Sequence, residues 1–235
     1  MKLLSNTIEN IEKISIDLDG SIKDRFNNLA IPNGSLGRLE ELATIYASIK
    51  GSPDATLKHK VVFTMAGDHG VSSEGVSVFP QEVTGQMVKN FIDGGATISV
   101  LARHVGARVV VVDCGVKADF EPVDGLKIKK VGYGTDNIAH GPAMSREQAI
   151  DSLEAGIESF NEELLNGIDI VATGDMGIAN TTPSSAIIAC LTGTELDKVT
   201  GRGTGLDDSG VEKKISVISM ALDVNKPDPS DPIDV

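Results

Sequence analysis

The strongest constraint on the fold is a run of four consecutive valines, residues 109–112, followed by a glycine-containing turn at Gly115. A β-branched run without polar alternation is typical of a parallel strand that is buried on both faces. Apolar runs at 60–66 and 168–173 also end in glycine-rich loops, and the lysine-rich segment 126–131 is a fourth candidate strand. Helical patterns lie between these runs. This alternation predicts an α/β fold with a doubly wound parallel sheet, in which ligands bind at the carboxyl ends of the strands.

Apolar residues at intervals of three or four predict the helices of the chain. The predicted helices cover residues 21–30, 36–49, 80–104 with a break at Gly94-Gly95, 145–165, 183–191 and 211–224. Capping-box sequences at Asn6–Glu9 and Ser145–Gln148 predict two helix starts. Single cap residues predict two more, at Ser35 and at Thr182, where Pro183 suits the first turn.

The two ends of the chain differ in pattern from its middle. We expect residues 1–50 to be an N-terminal helical segment that forms part of a small domain. Residues 51–235 are predicted to form an α/β nucleotide-binding domain. The irregular segment 225–232 has the pattern of a connection to a further element, so we expect this domain to be incomplete at its C-terminus.

The charge balance excludes several classes of partner. Asp and Glu outnumber Lys and Arg by 34 to 21, giving a formal net charge of −13. A field of that sign opposes binding to nucleic acid or to an anionic membrane. Cys114 and Cys190 are too few for a disulfide framework, and their apolar surroundings predict buried free thiols. The polar sequence after Leu4 is unlike a signal peptide, and no apolar run approaches a membrane span, so we expect a cytoplasmic protein.

Loop 65–71 places Asp68 next to His69 after a predicted strand. An acid beside an imidazole could ligate a metal or act as a base. Adjacent side chains point in different directions, however, and no third ligand lies at metal spacing. The pattern favours a turn in which both side chains bond to the backbone, and we predict no metal site.

Two other loops have the composition of an anion site. Loop 174–183 joins a strand end to a helix N-terminus, where backbone amides and the helix dipole favour negative charge, and Asp175 is its one charged group. Loop 200–208 carries three alternating glycines, and Lys213 or Lys214 could close on a phosphate, although each is equally well explained as solvent-facing. The loops lack the Walker lysine and the GxGxxG spacing, so they favour a mononucleotide over a dinucleotide.

Segment 75–87 mixes apolar residues with amide and hydroxyl groups. This composition suits a planar aromatic ligand with one or two ring nitrogens. By composition alone, it is equally typical of an ordinary helix start.

Taken together, several of these motifs carry a family resemblance. The motifs are Pro32–Glu40, Ala66–Val71, Val76–Pro80 with Gln86, Gly174–Thr182 and Gly201–Gly205. In this order the chain, from about Leu18 to Val235, resembles the nicotinate-nucleotide–dimethylbenzimidazole phosphoribosyltransferase family. Each motif is modest alone, but five in the right order are specific.

The resemblance implies a reaction and an architecture. The family transfers the phosphoribosyl group of nicotinate mononucleotide to 5,6-dimethylbenzimidazole, giving α-ribazole 5′-phosphate and nicotinate for the lower ligand of cobalamin. Its fold is a Rossmann-like parallel sheet flanked by helices, with a small helical domain built from both chain ends. The resemblance also implies a homodimer that needs no metal and no cofactor.

Site residues follow from the matching motifs. Asp175 would be an auxiliary catalytic carboxylate. The residues expected to bind the base are Gln86, Pro80 and Met176. The residues expected to bind the nucleotide and its phosphate are Gly177, Asn180, Thr181, Gly203, Thr204 and Lys214.

The chain departs from the family pattern at two positions in loop 174–183. Asp175 stands where the family usually has Glu, so the carboxylate reaches less far by about 1.5 Å, the length of one carbon–carbon bond. Ala179 stands where the family usually has Gly, which is harmless only if φ there is negative. These departures leave open a related phosphoribosyltransferase with a different base or a phenolic acceptor.

A third departure concerns the main catalytic glutamate of the family, which lies near the family's C-terminus. No residue of this chain is assigned to that role. We therefore expect little or no transferase activity from the 235 residues alone. The corresponding alternative is an inactive nucleotide-binding fragment.

Overall fold

The computed structural model describes residues 2–14, 19–32 and 34–235. The chain divides into two compact units. One contains residues 5–58, and the other contains residues 1–4 and 59–235. The predicted domain limits at residues 50 and 51 stay a prediction.

The helices of the first part of the chain are α1 (Lys2–Glu9), α2 (Asp19–Asn27) and α3 (Arg38–Lys50). The predicted capping box at Asn6–Glu9 is wrong, because α1 begins at Lys2 and the good helix formers before Asn6 extend it toward the N-terminus. Ser35 is also not an N-cap. Gly37 caps α3, and the Glu40 carboxylate accepts a hydrogen bond from the backbone N–H of Leu36 at 3.4 Å.

The larger unit contains a four-stranded parallel sheet, which confirms the predicted fold class. Its strands are β1 (Lys60–Gly67), β2 (Ala107–Gly115), β3 (Leu126–Ile128) and β4 (Ile170–Met176), in the spatial order β3-β2-β1-β4. In the centre of the sheet, Phe63 pairs with Val110 on one side and with Thr173 on the other. All carboxyl ends therefore lie at one edge.

The predicted strand 126–131 is shorter in the structure. It ends at Ile128, and beyond that point the backbone N–H of Val131 donates to the carbonyl of Cys114 without a continuous ladder.

Helices connect the strands and cover the sheet. They are α4 (Val83–Ile92), α5 (Thr97–Val105), α6 (Arg146–Leu164), α7 (Thr181–Thr192), α8 (Leu196–Val199) and α9 (Asp208–Asn225), with a 3-10 turn at Gly70–Glu74. The break at Gly94-Gly95 and the capping box of α6 are confirmed, with Ser145 and Gln148 each accepting a backbone N–H of the other. Thr182 is not an N-cap. Asn180 holds that position, and Thr182 lies buried inside the first turn of α7.

The valine run lies at the centre of the core, as its pattern predicts. Val110 and Val112 face one side with Val61 and Phe63, whereas Val111 faces the other side. Both faces of β2 are therefore covered. β4 differs from β1 and β2, because most of its residues are exposed. None of the helices in the described ranges is long and apolar enough to cross a membrane.

Both cysteines are free thiols, but each is half-buried rather than buried. Burial and the neighbouring Asp113 carboxylate raise the pKa of the Cys114 thiol to about 11. Cys114 is therefore neutral near pH 7.

Candidate functional site

The carboxyl ends of β1 and β4 bring loops 65–71 and 174–183 side by side. The register pairs Ala66 with Met176, so the two chain segments leave the sheet together. Gly177 then packs directly on the first loop. A Cβ at this position would overlap the carbonyl oxygen of Gly67 and would lie 2.9 Å from Nε2 of His69. Glycine is required here because it alone allows this approach of the two backbones.

His69 links this pair of loops to the middle of segment 75–87. Its imidazole lies against Gly177, and its carbonyl accepts a hydrogen bond from Nε2 of Gln81 at 3.1 Å. Burial lowers the pKa of His69, and the carboxylates of Asp68 and Asp175 oppose that shift only in part. The imidazole is therefore neutral near pH 7. Within the described part of the chain, no three His, Cys, Asp or Glu side chains converge in a way that could hold a metal ion.

The loop between β4 and α7 is held from two directions. Asn180 Nδ2 donates to the Asp175 carboxylate, which orients that carboxylate at the strand end. The backbone N–H of Ile178 donates to Oγ1 of Thr84 at 3.0 Å, and this hydroxyl is fully buried on α4. Asp175 is thereby fixed although its own side chain is exposed.

Replacing the usual glycine by Ala179 would be harmless only at a negative φ, and the structure does not have one. The φ of Ala179 is +72°, in the left-handed region, and its side chain is only 4 % exposed. This conformation costs a non-glycine residue roughly 1–2 kcal/mol. Loop 174–183 therefore stores strain beside the candidate site.

Three predicted phosphate-binding residues meet at the N-terminus of α7. Lys214 is 1 % exposed, and its Nζ donates a hydrogen bond to Oγ1 of Thr181. A Cβ on Gly203 would lie 3.1 Å from that Oγ1 and 3.2 Å from Nζ. Burial lowers the pKa of Lys214, and no carboxylate of the described residues lies within 4 Å of its ammonium. A buried cation at a helix N-terminus is unbalanced without an anion.

Comparison with known proteins shows the family of this chain. A family model described as Phosphoribosyltransferase matches residues 11–235. A protein of Desulforudis audaxviator named nicotinate-nucleotide–dimethylbenzimidazole phosphoribosyltransferase is 54% identical over all of this chain, which covers 67% of that protein. The protein of the same name from Geobacter sulfurreducens is 53% identical over the same shares of the two chains. This chain belongs to the nicotinate-nucleotide–dimethylbenzimidazole phosphoribosyltransferase family.

A solved structure supports the assignment to this phosphoribosyltransferase family. The crystal structure of CobT from Thermus thermophilus superposes with a TM-score of 0.84 at 40% identity, over 88% of this chain and 62% of that one. The chain spans about two thirds of the length of the curated relatives that it matches.

In this phosphoribosyltransferase fold, Thr204 contacts segment 75–87. Its Oγ1 lies 3.0 Å from Oγ of Ser77 and accepts a hydrogen bond from the backbone N–H of Val78 at 3.2 Å. The hydroxyl therefore joins loop 200–208 to segment 75–87. The assigned role of Thr204 at the phosphate stays a prediction.

The residues assigned to the base lie around the start of α4 and the end of β4. Pro80 and Gln86 are exposed, and Met176 is half-buried as the last residue of its strand. Their roles, like those of the phosphate-binding residues, stay predictions.

Sequence reasoning missed two residues that hold the site together, Gln81 and Thr84. A signal for Thr84 was present, because Thr84 and Val88 are four residues apart on the buried face of α4. Nothing in the sequence showed that this hydroxyl bonds to a loop 94 residues away.

Proposed function

We propose that this protein transfers the phosphoribosyl group of nicotinate mononucleotide to 5,6-dimethylbenzimidazole, with α-ribazole 5′-phosphate and nicotinate as products. The observation that carries the proposal is the buried Lys214, whose ammonium meets Thr181 and Gly203 at the N-terminus of α7. The names of the relatives from Desulforudis audaxviator and Geobacter sulfurreducens support it. The products place the reaction in the synthesis of the lower ligand of cobalamin.

The phosphate of the nucleotide occupies the N-terminus of α7 in this proposal. The dipole of α7, the hydroxyl of Thr181 and the ammonium of Lys214 favour an anion here. The amides of Thr182 and Ser184 already donate to the carbonyls of Ala179 and Asn180, and Pro183 has no N–H. Gly203 leaves room for a phosphate oxygen, since its missing side chain borders both Thr181 and Lys214. The ribose then points toward the carboxyl end of β4.

The acceptor base lies on the side of segment 75–87, against Pro80, Gln86 and Met176. Its unprotonated ring nitrogen attacks the anomeric carbon, the bond from that carbon to nicotinate breaks, and the ring N–H loses its proton. Positioning two planar rings on opposite faces of the ribose supplies much of the rate enhancement. The Asp175 carboxylate, oriented by Asn180, accepts that proton and stabilises the positive charge of the anomeric centre.

Two other functions are alternatives to this reaction. The shorter carboxylate of Asp175 leaves open a related phosphoribosyltransferase that uses a different base or a phenolic acceptor. A non-catalytic nucleotide-binding protein uses the same phosphate site and releases no nicotinate.

Calorimetry and product analysis separate these functions. Nicotinate mononucleotide should bind to the chain, and nicotinate riboside, which lacks the phosphate, should bind at least tenfold more weakly. The nucleotide is then incubated with dimethylbenzimidazole, adenine or a phenol, and the released nicotinate is quantified. Release that is fastest with dimethylbenzimidazole supports the proposal and overturns the expectation that the 235 residues alone have little or no activity. Faster release with another acceptor replaces dimethylbenzimidazole as the substrate. Binding without release with any acceptor supports the non-catalytic protein, and equal affinity for the riboside overturns the phosphate site.

We also propose a cytoplasmic homodimer that works without metal or cofactor, on small-molecule substrates. The apolar side chains exposed on α3, among them Leu39, Leu42 and Ile49, support a covered surface in the assembly. Light scattering measures the mass in solution, and activity after dialysis against a chelator tests the independence from metal.

A further inference from the structure

Loop 116–120 follows the carboxyl end of β2, at the edge of the sheet that carries the candidate site. Connecting segments on a protein surface are usually mobile, but this one is held by its backbone. The N–H of Val116 donates to Oδ1 of Asp113 at 2.8 Å, and the N–H of Lys117 donates to Oδ2 of Asp68 at 2.8 Å. Both carboxylates are buried. The start of the loop is therefore fixed to the ends of β2 and β1.

A single ammonium holds the middle of this loop. Nζ of Lys130 donates to the carbonyls of Val116 and Ala118, the second at 3.1 Å, and lies 2.9 Å from Oδ2 of Asp113. Asp113 is fully buried, and the Lys130 side chain is only 12 % exposed. Breaking a buried ion pair is strongly destabilising. The ammonium is therefore fixed in place, and it fixes the two carbonyls with it.

Tyr133 adds an anchor at the far side of the same loop. Nζ of Lys130 lies 4.7 Å from the centroid of the Tyr133 ring, where the ring attracts a cation. The Tyr133 hydroxyl donates to Oδ1 of Asp119 at 2.7 Å. Each residue from Val116 to Asp119 thus has a hydrogen bond to a residue outside the loop. An exposed loop that is anchored at four consecutive residues is a rigid support for whatever packs on it.

The element that packs on this loop is the first part of α4. A Cβ on Gly85 would lie 3.2 Å from Cβ of Ala118 and 3.9 Å from Cζ of Phe120. Phe120 also packs against the core cluster that contains Val88, about one turn further along α4. The helix therefore meets the loop at two points, and the closer approach is made at a glycine.

The residues on either side of Gly85 belong to the candidate site. Thr84 precedes it and accepts the backbone N–H of Ile178 in loop 174–183. Gln86 follows it and is expected to bind the acceptor base. Because neighbouring residues of a helix move together, a displacement of Gly85 also displaces Gln86. The reaction proposed above assigns no role to the loop that supports them.

We propose that Lys130 is a positioning residue of the acceptor-base site. By fixing loop 116–120, its ammonium sets the position of Gly85 and, through Gly85, the position of Gln86 against the base. The inference rests on the proposed function, because it concerns the base side of that site. Lys130 acts through the loop and through α4, and it has no contact with the base itself.

The phosphate side of the site does not depend on this support. The ammonium of Lys214 meets Thr181 and Gly203, which lie on other elements. A disturbed support should therefore weaken the binding of 5,6-dimethylbenzimidazole and spare the binding of nicotinate mononucleotide. A general loss of structure would weaken both, so the split between the two affinities separates positioning from stability.

Gly85→Ala tests the support by pressing α4 against the loop. Alanine is a better helix former than glycine, so a loss of binding in this variant does not come from a weaker helix. By calorimetry, the Kd for dimethylbenzimidazole should rise about fivefold or more, and the Kd for nicotinate mononucleotide should stay within about twofold. Adding Ala118→Gly removes the atom that the new methyl meets, and it should restore the affinity for the base. Gly141→Ala is the matched control, because its Cβ would have nothing within 4 Å and its φ is not positive.

Lys130→Met tests the anchor itself, and Lys129→Met is its control. Nζ of Lys129 lies 2.9 Å from Glu158 and 2.7 Å from Glu162 on α6, so this variant also loses ion pairs but leaves the loop anchored. Lys130→Met should show the same split as Gly85→Ala, and Lys129→Met should change neither affinity. If Lys130→Met does not fold, the variants at Gly85 and Ala118 decide, because they keep Lys130.

Four results would overturn the positioning role. They are an unchanged affinity for the base in Gly85→Ala, a loss that Ala118→Gly does not reverse, equal losses for base and nucleotide, and equal effects of Lys129→Met and Lys130→Met. A parent chain that binds the nucleotide but not dimethylbenzimidazole would overturn the base side of the proposed function, and this inference with it. Normal binding of the base by the parent and by every variant would overturn the positioning role alone.

Discussion

Nζ of Lys214 donates a hydrogen bond to Oγ1 of Thr181, which places a buried ammonium against the first residue of α7. The lowered pKa of Lys214 shows that burial disfavours its charged form and that no ion pair compensates. A buried ammonium that destabilises the free protein and can pair with an anion is typical of a binding site. Replacing Lys214 should therefore have opposite effects on nucleotide binding and on the stability of the free protein.

Lys214→Met should weaken the binding of nicotinate mononucleotide and stabilise the free protein. A hydrogen bond to a charged group contributes about 1.5–3 kcal/mol, so affinity should fall about 10- to 100-fold. Methionine keeps the apolar stem and removes the buried charge, so the free energy of unfolding should rise by about 1 kcal/mol. Calorimetry and urea denaturation measure the two changes. Lys89→Met is the control, because this lysine is exposed on α4 and has no assigned role in binding, and it should change neither value appreciably.

Gly177→Ala should disrupt the contact between the two loops at the carboxyl edge. The added Cβ would overlap the Gly67 carbonyl, and neither backbone can yield without moving its strand end. We expect a loss of about 2–3 kcal/mol in unfolding free energy and at least a tenfold loss of nucleotide affinity.

Gly201→Ala is the matched substitution for that experiment. Its Cβ would have nothing within 4 Å, and its φ is not positive. It should leave stability and affinity nearly unchanged. A Gly177→Ala protein that matches Gly201→Ala in both measurements would show that the close approach does not exist in solution.

Ala179→Gly should be tolerated far better than an ordinary Ala→Gly change. Relief of the left-handed strain is worth about 1–2 kcal/mol, and it offsets the lost methyl burial and the greater freedom of glycine in the unfolded chain. Ala186→Gly removes a buried methyl from the interior of α7, where no strain is relieved. Urea denaturation should show Ala179→Gly as the less destabilising change by about 1–2 kcal/mol. Equal losses would mean that Ala179 is unstrained.

Ala179 also shows where sequence reasoning stops. The strand runs and the α6 capping box were predictable because each rests on contacts within a few residues of sequence. Asn6 and Thr182 were assigned wrongly as caps, since a cap residue indicates only that its side chain could accept a backbone N–H. The positive φ of Ala179 occurs in a loop whose neighbouring residue Ile178 bonds to Thr84 on α4, and no local sequence pattern contains that contact.

His69 should make the protein less stable as the pH falls below 6.5, which is the ordinary pKa of a histidine side chain. Its folded-state pKa is lowered, so below pH 6.5 the unfolded chain takes up a proton that the folded chain does not. Stability is therefore full above pH 6.5 and declines toward the lowered pKa, with Asp68 and Asp175 moderating the loss. The pKa values of Glu162 and Asp207 are also lowered in the folded chain, so these carboxyl groups reduce its stability only at more acidic pH, below about 4.5.

Urea denaturation at pH 7, 6 and 5 tests this assignment. His69→Gln should flatten the decline between pH 6.5 and 5, because glutamine does not titrate. His104→Gln, on the exposed side of α5, should leave the decline as in the parent chain. A decline that is identical in all three proteins would assign it to other groups.

The hydrogen bond between Ser77 and Thr204 should couple the base side of the site to the phosphate side. Thr204→Val keeps the shape of the side chain and removes the hydroxyl that Ser77 and the Val78 N–H share. A double-mutant cycle with Ser77→Ala should give a coupling of about 0.5–1 kcal/mol in the free energy of nucleotide binding. Thr204→Ser retains the hydroxyl and should retain the coupling. Strict additivity of Thr204→Val and Ser77→Ala would mean that the two loops bind their ligands independently, and that Thr204 acts only where it faces the phosphate.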